Sequence, residues 1–213
     1  MKIALFGAGG HIGHGILNEA VARGHDVIAV VRDPDRANIR NPKVEVVVGD
    51  LGNPASYRAA LEGVDAAIAS LSGRRDSDAW RIPQYAATLL DVLPAAGVRR
   101  LIWVGGAGSL ETAPGVTVSS SPQFPKDWLP EANAQAEALR IFRHSKADID
   151  WTHVSPPALL VDGERSGKYR IGGNQLLVDA NGVSRITVPD YAVAILDRVE
   201  KDDKPRQRIT VAY

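Results

Sequence analysis

The sequence predicts an α/β fold built on a doubly wound parallel sheet, and three observations lead there. Short apolar runs alternate with helix-length amphipathic stretches through the first 155 residues. The runs are β-branched or apolar at nearly every position, the mark of strands buried on both faces. Gly24, Gly63 and Gly97 each stand just past a predicted helix, where a left-handed cap favours a residue without Cβ. Strand–helix–strand alternation then implies right-handed crossovers and helices on both sides of the sheet.

Taken in order, the first strand is Ile3–Phe6 and a helix follows at about His14–Arg23. Val27–Val31 and Val44–Val48 are the next strands, with a helix over Ala55–Glu62 before the fourth, Ala66–Ala69. A longer helix spans Arg81–Ala96 and leads to the fifth strand, Leu101–Val104. The alternation then breaks. Thr112–Pro130 holds Pro114, Pro122, Pro125 and Pro130 with Ser119-Ser120-Ser121, a composition that makes no regular element. It is either a plain surface loop or a substrate-covering lid, and its place after a strand C-terminus favours the lid. A helix at Glu131–His144 and a strand at Trp151–Val154 restore the pattern. Pro156–Arg185 is glycine-rich and reads as loops and short strands, before a last helix at Asp190–Val199 and a strand at Arg208–Val211. With no repeat and no linker, the expectation is one domain over 1–213. Residues 1–155 form its core and 156–213 supply substrate-side and C-terminal elements.

Composition narrows the function. Lys+Arg and Asp+Glu number 25 each, which argues against nucleic-acid or anionic-membrane partners. The absence of cysteine excludes disulfides, iron–sulfur clusters and thiol nucleophiles. Met1-Lys2 meets only four apolar residues before Gly7, short of a signal-peptide core, so the expected address is cytoplasmic.

The strongest motif is Lys2-Ile3-Ala4-Leu5-Phe6-Gly7-Ala8-Gly9-Gly10-His11-Ile12-Gly13. A buried strand runs into glycines that open a helix, where backbone can approach a phosphate and the helix N-terminus can hold it. The alternative is a purely structural glycine turn. Two spacings overlap: Gly7-x-Gly9-x-x-Ile12 and Gly7-x-x-Gly10-x-x-Gly13.

The second spacing resembles the short-chain dehydrogenase/reductase superfamily, in its extended and atypical branches. Further segments are similar along the chain: Val48-Gly49-Asp50-Leu51, Ala69-Ser70-Leu71-Ser72-Gly73, Val104-Gly105-Gly106-Ala107-Gly108, Ser155-Pro156-Pro157 and Ser184-Arg185-Ile186-Thr187-Val188-Pro189-Asp190-Tyr191-Ala192. The chain looks most like the small NmrA-like and flavin-reductase-like group of NAD(P)H-binding proteins. The resemblance implies a Rossmann-like sheet with Gly7, Gly9, Gly10, His11 and Ile12 at the pyrophosphate. It implies Asp50 and Leu51 at the adenine, and Ser70, Leu71, Ser72, Gly105 and Gly106 flanking ribose and nicotinamide. Ser155 and Pro156 would lie beside the nicotinamide.

Arg32, with Arg36 close behind, stands where NADP enzymes place a guanidinium for the 2′-phosphate, so NADPH is expected over NADH. Asp33 complicates that reading, and Arg32 as a plain turn residue is the alternative.

The family's carbonyl reductases use Tyr-x-x-x-Lys and a Ser. Here Leu61, Leu89, Gly173 and Ile195 follow the tyrosines at the required spacing, and Tyr213 is the last residue. The helix over Glu131-Ala132-Asn133-Ala134-Gln135-Ala136-Glu137 offers alanines, and Ser109 is the nearest hydroxyl after the fifth strand. A related flavin-reductase family carries a His two residues after its sixth-strand proline, and Ala158 stands there instead. No catalytic side chain is assigned. His11 and His14 lack a third ligand, so no metal is expected. No Gly-x-Ser-x-Gly elbow surrounds the serines. The four tryptophans read as core or rim, with Trp128 a stacking face for an aromatic substrate. The expectation is an NADPH oxidoreductase passing hydride to a flavin (FMN or FAD as substrate), a quinone or another small conjugated acceptor, with a homodimer possible in this fold. The alternatives are a non-catalytic NADP(H) sensor and an epimerase or reductase lacking the Tyr-Lys pair.

Overall fold

The computed structural model describes residues 1–74, 77–201 and 203–213. Among them run β1 (Lys2–Phe6), α1 (His11–Ala22), β2 (Asp26–Val31), α2 (Pro34–Ala37), β3 (Val44–Val48) and β4 (Ala66–Ala69). Next come α3 (Ile82–Ala95), β5 (Arg100–Val104), β6 (Glu111–Ala113), β7 (Val116–Thr117), α4 (Leu129–His144) and β8 (Asp150–Ser155). The chain ends with β9 (Leu159–Val161), β10 (Arg170–Gly172), β11 (Arg185–Thr187), α5 (Val188–Glu200) and β12 (Gln207–Ala212). Eight strands form one sheet in the order β3-β2-β1-β4-β5-β8-β12-β10, parallel throughout except for the edge strand β10. The fold is the expected Rossmann-like α/β architecture, and its order reverses direction beside β1.

The two-faced burial inferred from the apolar runs follows from strand period. Ile3, Leu5, Ala29, Ile68, Ile102 and Val154 pack on one face with Ile16 and Leu17 of α1 and Ile195 of α5. Ala4, Phe6, Ile28, Val30, Leu101 and Trp103 pack on the other with Leu89 of α3 and Leu139 and Phe142 of α4. Successive residues of a strand point to opposite faces, so both sets must be apolar.

Three local expectations are corrected. α1 starts at His11, a turn earlier than the apolar periodicity indicates, because backbone bonds from Gly10 to Gly7 and from His14 to Gly10 start it despite poor glycine propensity. No α-helix covers Ala55–Glu62. Two 3₁₀ turns stand there, Pro54–Ser56 and Arg58–Leu61, broken at Tyr57. The Ser56 hydroxyl donates to the Asn53 carbonyl at 2.6 Å and accepts from Asp50 N–H, and such local bonding competes with a helix. Finally, Thr112–Pro130 is not wholly irregular: β6 and β7 form an antiparallel hairpin, with Pro114 and Gly115 confined to its turn. Gly115 has φ of +74°, which glycine adopts without strain.

The glycine-rich stretch after β8 is held in place by the C-terminal motif. Asp190, fully buried at the start of α5, accepts from Ser166 Oγ at 2.6 Å, Gly167 N–H at 2.7 Å and Tyr213 Oη at 2.5 Å. Neighbouring Tyr191 donates to the Val154 carbonyl at 2.7 Å, fixing the end of β8.

Candidate functional site

The site begins at the turn after β1. Gly7 has φ of +85°, and a Cβ on it would lie 2.0 Å from the Ser70 carbonyl oxygen. A Cβ on Gly13 would lie 2.1 Å from the Gly7 oxygen, so α1 is pressed onto the turn. A Cβ on Gly9 would strike Ala37 Cα at 2.9 Å, which brings the Arg32–Ala37 segment alongside. Gly10 differs: a Cβ there meets nothing nearer than 3.4 Å, leaving its outer side open. α1 has no acid in its first turn and no side-chain cap on Gly10, so its first N–H groups face that opening. Such a cradle fits the pyrophosphate of a dinucleotide.

Apart from His11, the remaining expected residues stand at or just beyond the C-terminal ends of the parallel strands. Arg32 is exposed beyond β2. Asp33, the residue that complicated the cofactor reading, is committed to capping α2, its carboxylate accepting from Arg36 N–H at 3.0 Å. Asp50 turns the chain after β3, its Oδ1 accepting from Gly52 N–H at 2.9 Å, and Leu51 is buried in the core beside Tyr57. Ser70 and Leu71 lie against Gly7, and the Ser72 hydroxyl accepts from Arg74 N–H. His11 pairs with Asp162 at 3.0 Å, which draws the loop after β9 toward the helix N-terminus. Ser155 is fully buried at the end of β8 and Pro156 follows, half-buried.

Sequence reasoning missed four residues here. Glu131 and Gln135, four apart on α4, face the site rather than solvent, in place of the alanines expected there. The Glu131 carboxylate accepts from Gly73 N–H at 3.0 Å. Gln135 accepts from Trp103 Nε1 at 3.0 Å and donates to the Leu71 carbonyl at 3.2 Å. Its Cβ also lies under Gly106, where a glycine Cβ would approach to 3.2 Å. These two residues therefore tie the ends of β4 and β5 into one floor. The signal was present as an i, i+4 polar pair on an alanine-rich helix. Third is His153, wholly buried under Gly105, where an added Cβ would lie 1.9 Å from its ring. Burial, then the charges of Arg208 and Arg143, push its pKa down to about 3, so the ring is neutral. Fourth is Arg208, which donates to Asn174 and to both oxygens of Ser109. Ser109, the hydroxyl nearest the fifth strand in sequence, is thereby turned into the protein. Burial lowers Arg208 to about 10, still cationic at neutrality.

Tyr57, Tyr169 and Tyr191 are shifted away from proton transfer near neutrality. Burial, and next the charge of Asp50, raise Tyr57 to about 12. Burial and then the Asp197 bond do the same for Tyr169, and burial raises Tyr191 further. The tryptophans divide cleanly: Trp103 and Trp151 are core, whereas Trp80 and Trp128 are exposed on loops. Among the described residues, no helix is long and apolar enough to cross a membrane.

A family model described as NAD(P)H-binding matches residues 7–198. A solved Burkholderia pseudomallei structure, provisionally described as an exported protein, is 40% identical over all of both chains, with a TM-score of 0.89. A Bacteroides thetaiotaomicron protein provisionally described as an epimerase is 37% identical, with a TM-score of 0.89, over all of this chain and 96% of that one. A Streptococcus pneumoniae protein provisionally described as an NADH-flavin reductase is 31% identical, with a TM-score of 0.87, over all of this chain and 99% of that one.

Proposed function

The chain belongs to the NAD(P)H-binding family, in the atypical short-chain dehydrogenase/reductase group, and from that premise we propose that it is an NADPH-dependent oxidoreductase acting on a small conjugated acceptor such as a flavin or quinone. The observation that carries the reading is the pairing of an open glycine turn at the start of α1 with a sequence in which no tyrosine is followed by Lys at the Tyr-x-x-x-Lys spacing. Gly7, Gly9, Gly10 and the N–H groups of His11 and Ile12 would hold the pyrophosphate. Leu71, Gly105, Gly106, Ser155 and Pro156 would border the nicotinamide, with Gln135 fixing the spacing between the first and third of these. When bound, the reduced nicotinamide supplies a hydride to the acceptor ring, and solvent supplies the second proton that completes the two-electron reduction.

The chain's own part is then binding, orientation and exclusion of water. A flavin or quinone needs no protein acid to accept hydride, whereas an epimerase or carbonyl reductase needs a placed proton donor. The raised tyrosines and the Glu131–Gln135 pair support the first class over the second. Arg32 beyond β2, with Asp33 occupied in capping α2, supports NADPH over NADH: a guanidinium there can take the 2′-phosphate, and the nearby acid is turned to backbone. A reductase of this kind needs a supply of reduced dinucleotide, which supports the cytoplasm as its address.

The test is to titrate NADPH and NADH into the wild type and Arg32→Ala, then follow oxidation of the reduced nicotinamide with a panel of flavins and quinones. NADPH should bind about tenfold or more tightly than NADH in the wild type, and the preference should collapse in Arg32→Ala. Unchanged preference in the variant overturns the NADPH assignment. Tight binding without turnover on any acceptor overturns the enzyme reading in favour of a dinucleotide sensor.

A further inference from the structure

Two loops at the mouth of this site carry an arrangement that the dinucleotide does not use. Ser72–Arg74 follow the end of β4, and the 3₁₀ turn Lys126–Trp128 leads into α4. The Arg74 guanidinium lies over the Trp128 ring, 5.5 Å from its centroid, and Phe124 meets the same ring edge-on at 6.4 Å. Trp128 is 49% exposed, although this chain buries Trp103 and Trp151 completely or nearly so.

The arrangement is built, and Glu131 builds it. Glu131 is buried in the first turn of α4, three residues after Trp128, and its carboxylate holds the N–H of Gly73, the residue before Arg74. The Gly73 carbonyl accepts from Asp78 N–H at 2.8 Å, and a Cβ on Gly73 would strike Ala79 N at 2.2 Å, so Gly73 is held fast beside Arg74. One buried carboxylate therefore sets the cation and the indole relative to each other. Among the described residues, Arg74 has no carboxylate partner, in contrast to Arg81, which lies over Trp80 but also meets Asp78 at 3.5 Å. An exposed ring face beside a cation without an acid is suited to a planar molecule that carries negative charge.

From this we infer that Trp128 and Arg74 select the acceptor: a planar conjugated ring bearing an anionic substituent, with the ring on Trp128 and the charge on Arg74. The inference rests on the proposed acceptor site and adds the substrate's charge and the residues that read it. Neither Arg74 nor Trp128 is among the residues assigned to the dinucleotide, so dinucleotide binding and acceptor selection are separable.

The experiment compares acceptors that differ only in charge. Binding of FMN and of riboflavin to the NADP⁺-loaded protein is followed by flavin fluorescence anisotropy, and kcat/KM with NADPH is measured for the same pair and for menadione against its sulfonate. The wild type should favour each anionic member about tenfold. Arg74→Gln should remove that preference, and Arg74→Glu should reverse it. Trp128→Ala should weaken both members of a pair together, and Trp128→Phe should restore them. Equal affinity for FMN and riboflavin in the wild type, or a preference that survives Arg74→Gln, overturns the inference. Absence of turnover with every acceptor overturns the enzyme reading instead, while the anisotropy with NADP⁺ still decides the charge selection.

Discussion

At the scale of single residues, the glycines of the turn are not equivalent. Gly7 and Gly13 are demanded by close approach, Gly7 also by its positive φ, whereas Gly10 is open on its outer side. Gly7→Ala should therefore fail twice over, costing about 2 kcal/mol or more of stability and at least tenfold in dinucleotide affinity. Gly10→Ala should leave the melting temperature nearly unchanged and weaken the dinucleotide alone. Calorimetry paired with NADPH titration separates the two. The glycines were legible from spacing because their demands are local to one turn. His153 was not: its burial depends on Gly105 lacking a side chain two strand positions away in space, and nothing near it in the sequence records that contact. Asp33 was legible as an acid near the 2′-phosphate position but not as a cap, since both roles suit an acid followed by proline.

At the scale of elements, α1 and α5 are joined by a charged network around Arg23. It donates to Glu19 at 2.7 Å, Asp197 at 2.9 Å and Glu200 at 2.7 Å, while Arg165 forks onto Glu19 through two bonds of 2.8 Å. Arg23→Met would leave buried Glu19 short of one partner and Asp197 short of another. We expect a loss of about 2 kcal/mol in urea unfolding, less than for a fully buried pair because Arg23 keeps some exposure. On the opposite face, α4 shows where sequence legibility stops. Its extent and amphipathic character were readable, but which polar residues faced inward was not. An alanine-rich helix has a weak apolar stripe, so its rotation is set by what the loops after β4 and β5 offer to Glu131 and Gln135. The Ala55–Glu62 misreading has a similar origin: good helix formers there yield to Ser56 side-chain bonding and to burial of Tyr57 against Phe6, 5.3 Å away and edge-on.

For the whole molecule, the buried ionisable groups set how stability responds to acid. His153 has a folded pKa near 3 against an ordinary value of 6.5, so the unfolded chain takes up its proton first. Its contribution is fully present above pH 6.5 and is lost as pH falls toward 3, with a slope of about 1.4 kcal/mol per pH unit. Among the carboxyls held below their ordinary range, Glu19, Asp190 and Asp197 are the ones set into the packed interior. For Glu19 the Arg165 bond is the largest influence, whereas for Asp190 and Asp197 burial opposes ionisation and their hydrogen bonds outweigh it. Their stabilisation is present above about pH 4 and fades below it. Urea midpoints should accordingly fall from about pH 6.5 and more steeply below about pH 4, and His153→Phe should flatten the first decline and lessen the second down to about pH 3. A decline that begins only below pH 4 in the wild type would show His153 to be solvated.

Under the proposed function, the chemistry depends on the bound dinucleotide rather than on a protein acid. Its most direct test is a single-turnover reduction of FMN, comparing NADPH with its analogue deuterated at the transferred position. The account predicts a normal primary isotope effect, with a rate that varies little between pH 6 and 8 because no tuned side chain delivers a proton. Saturable NADPH binding with no hydride transfer to FMN or to any quinone would contradict it.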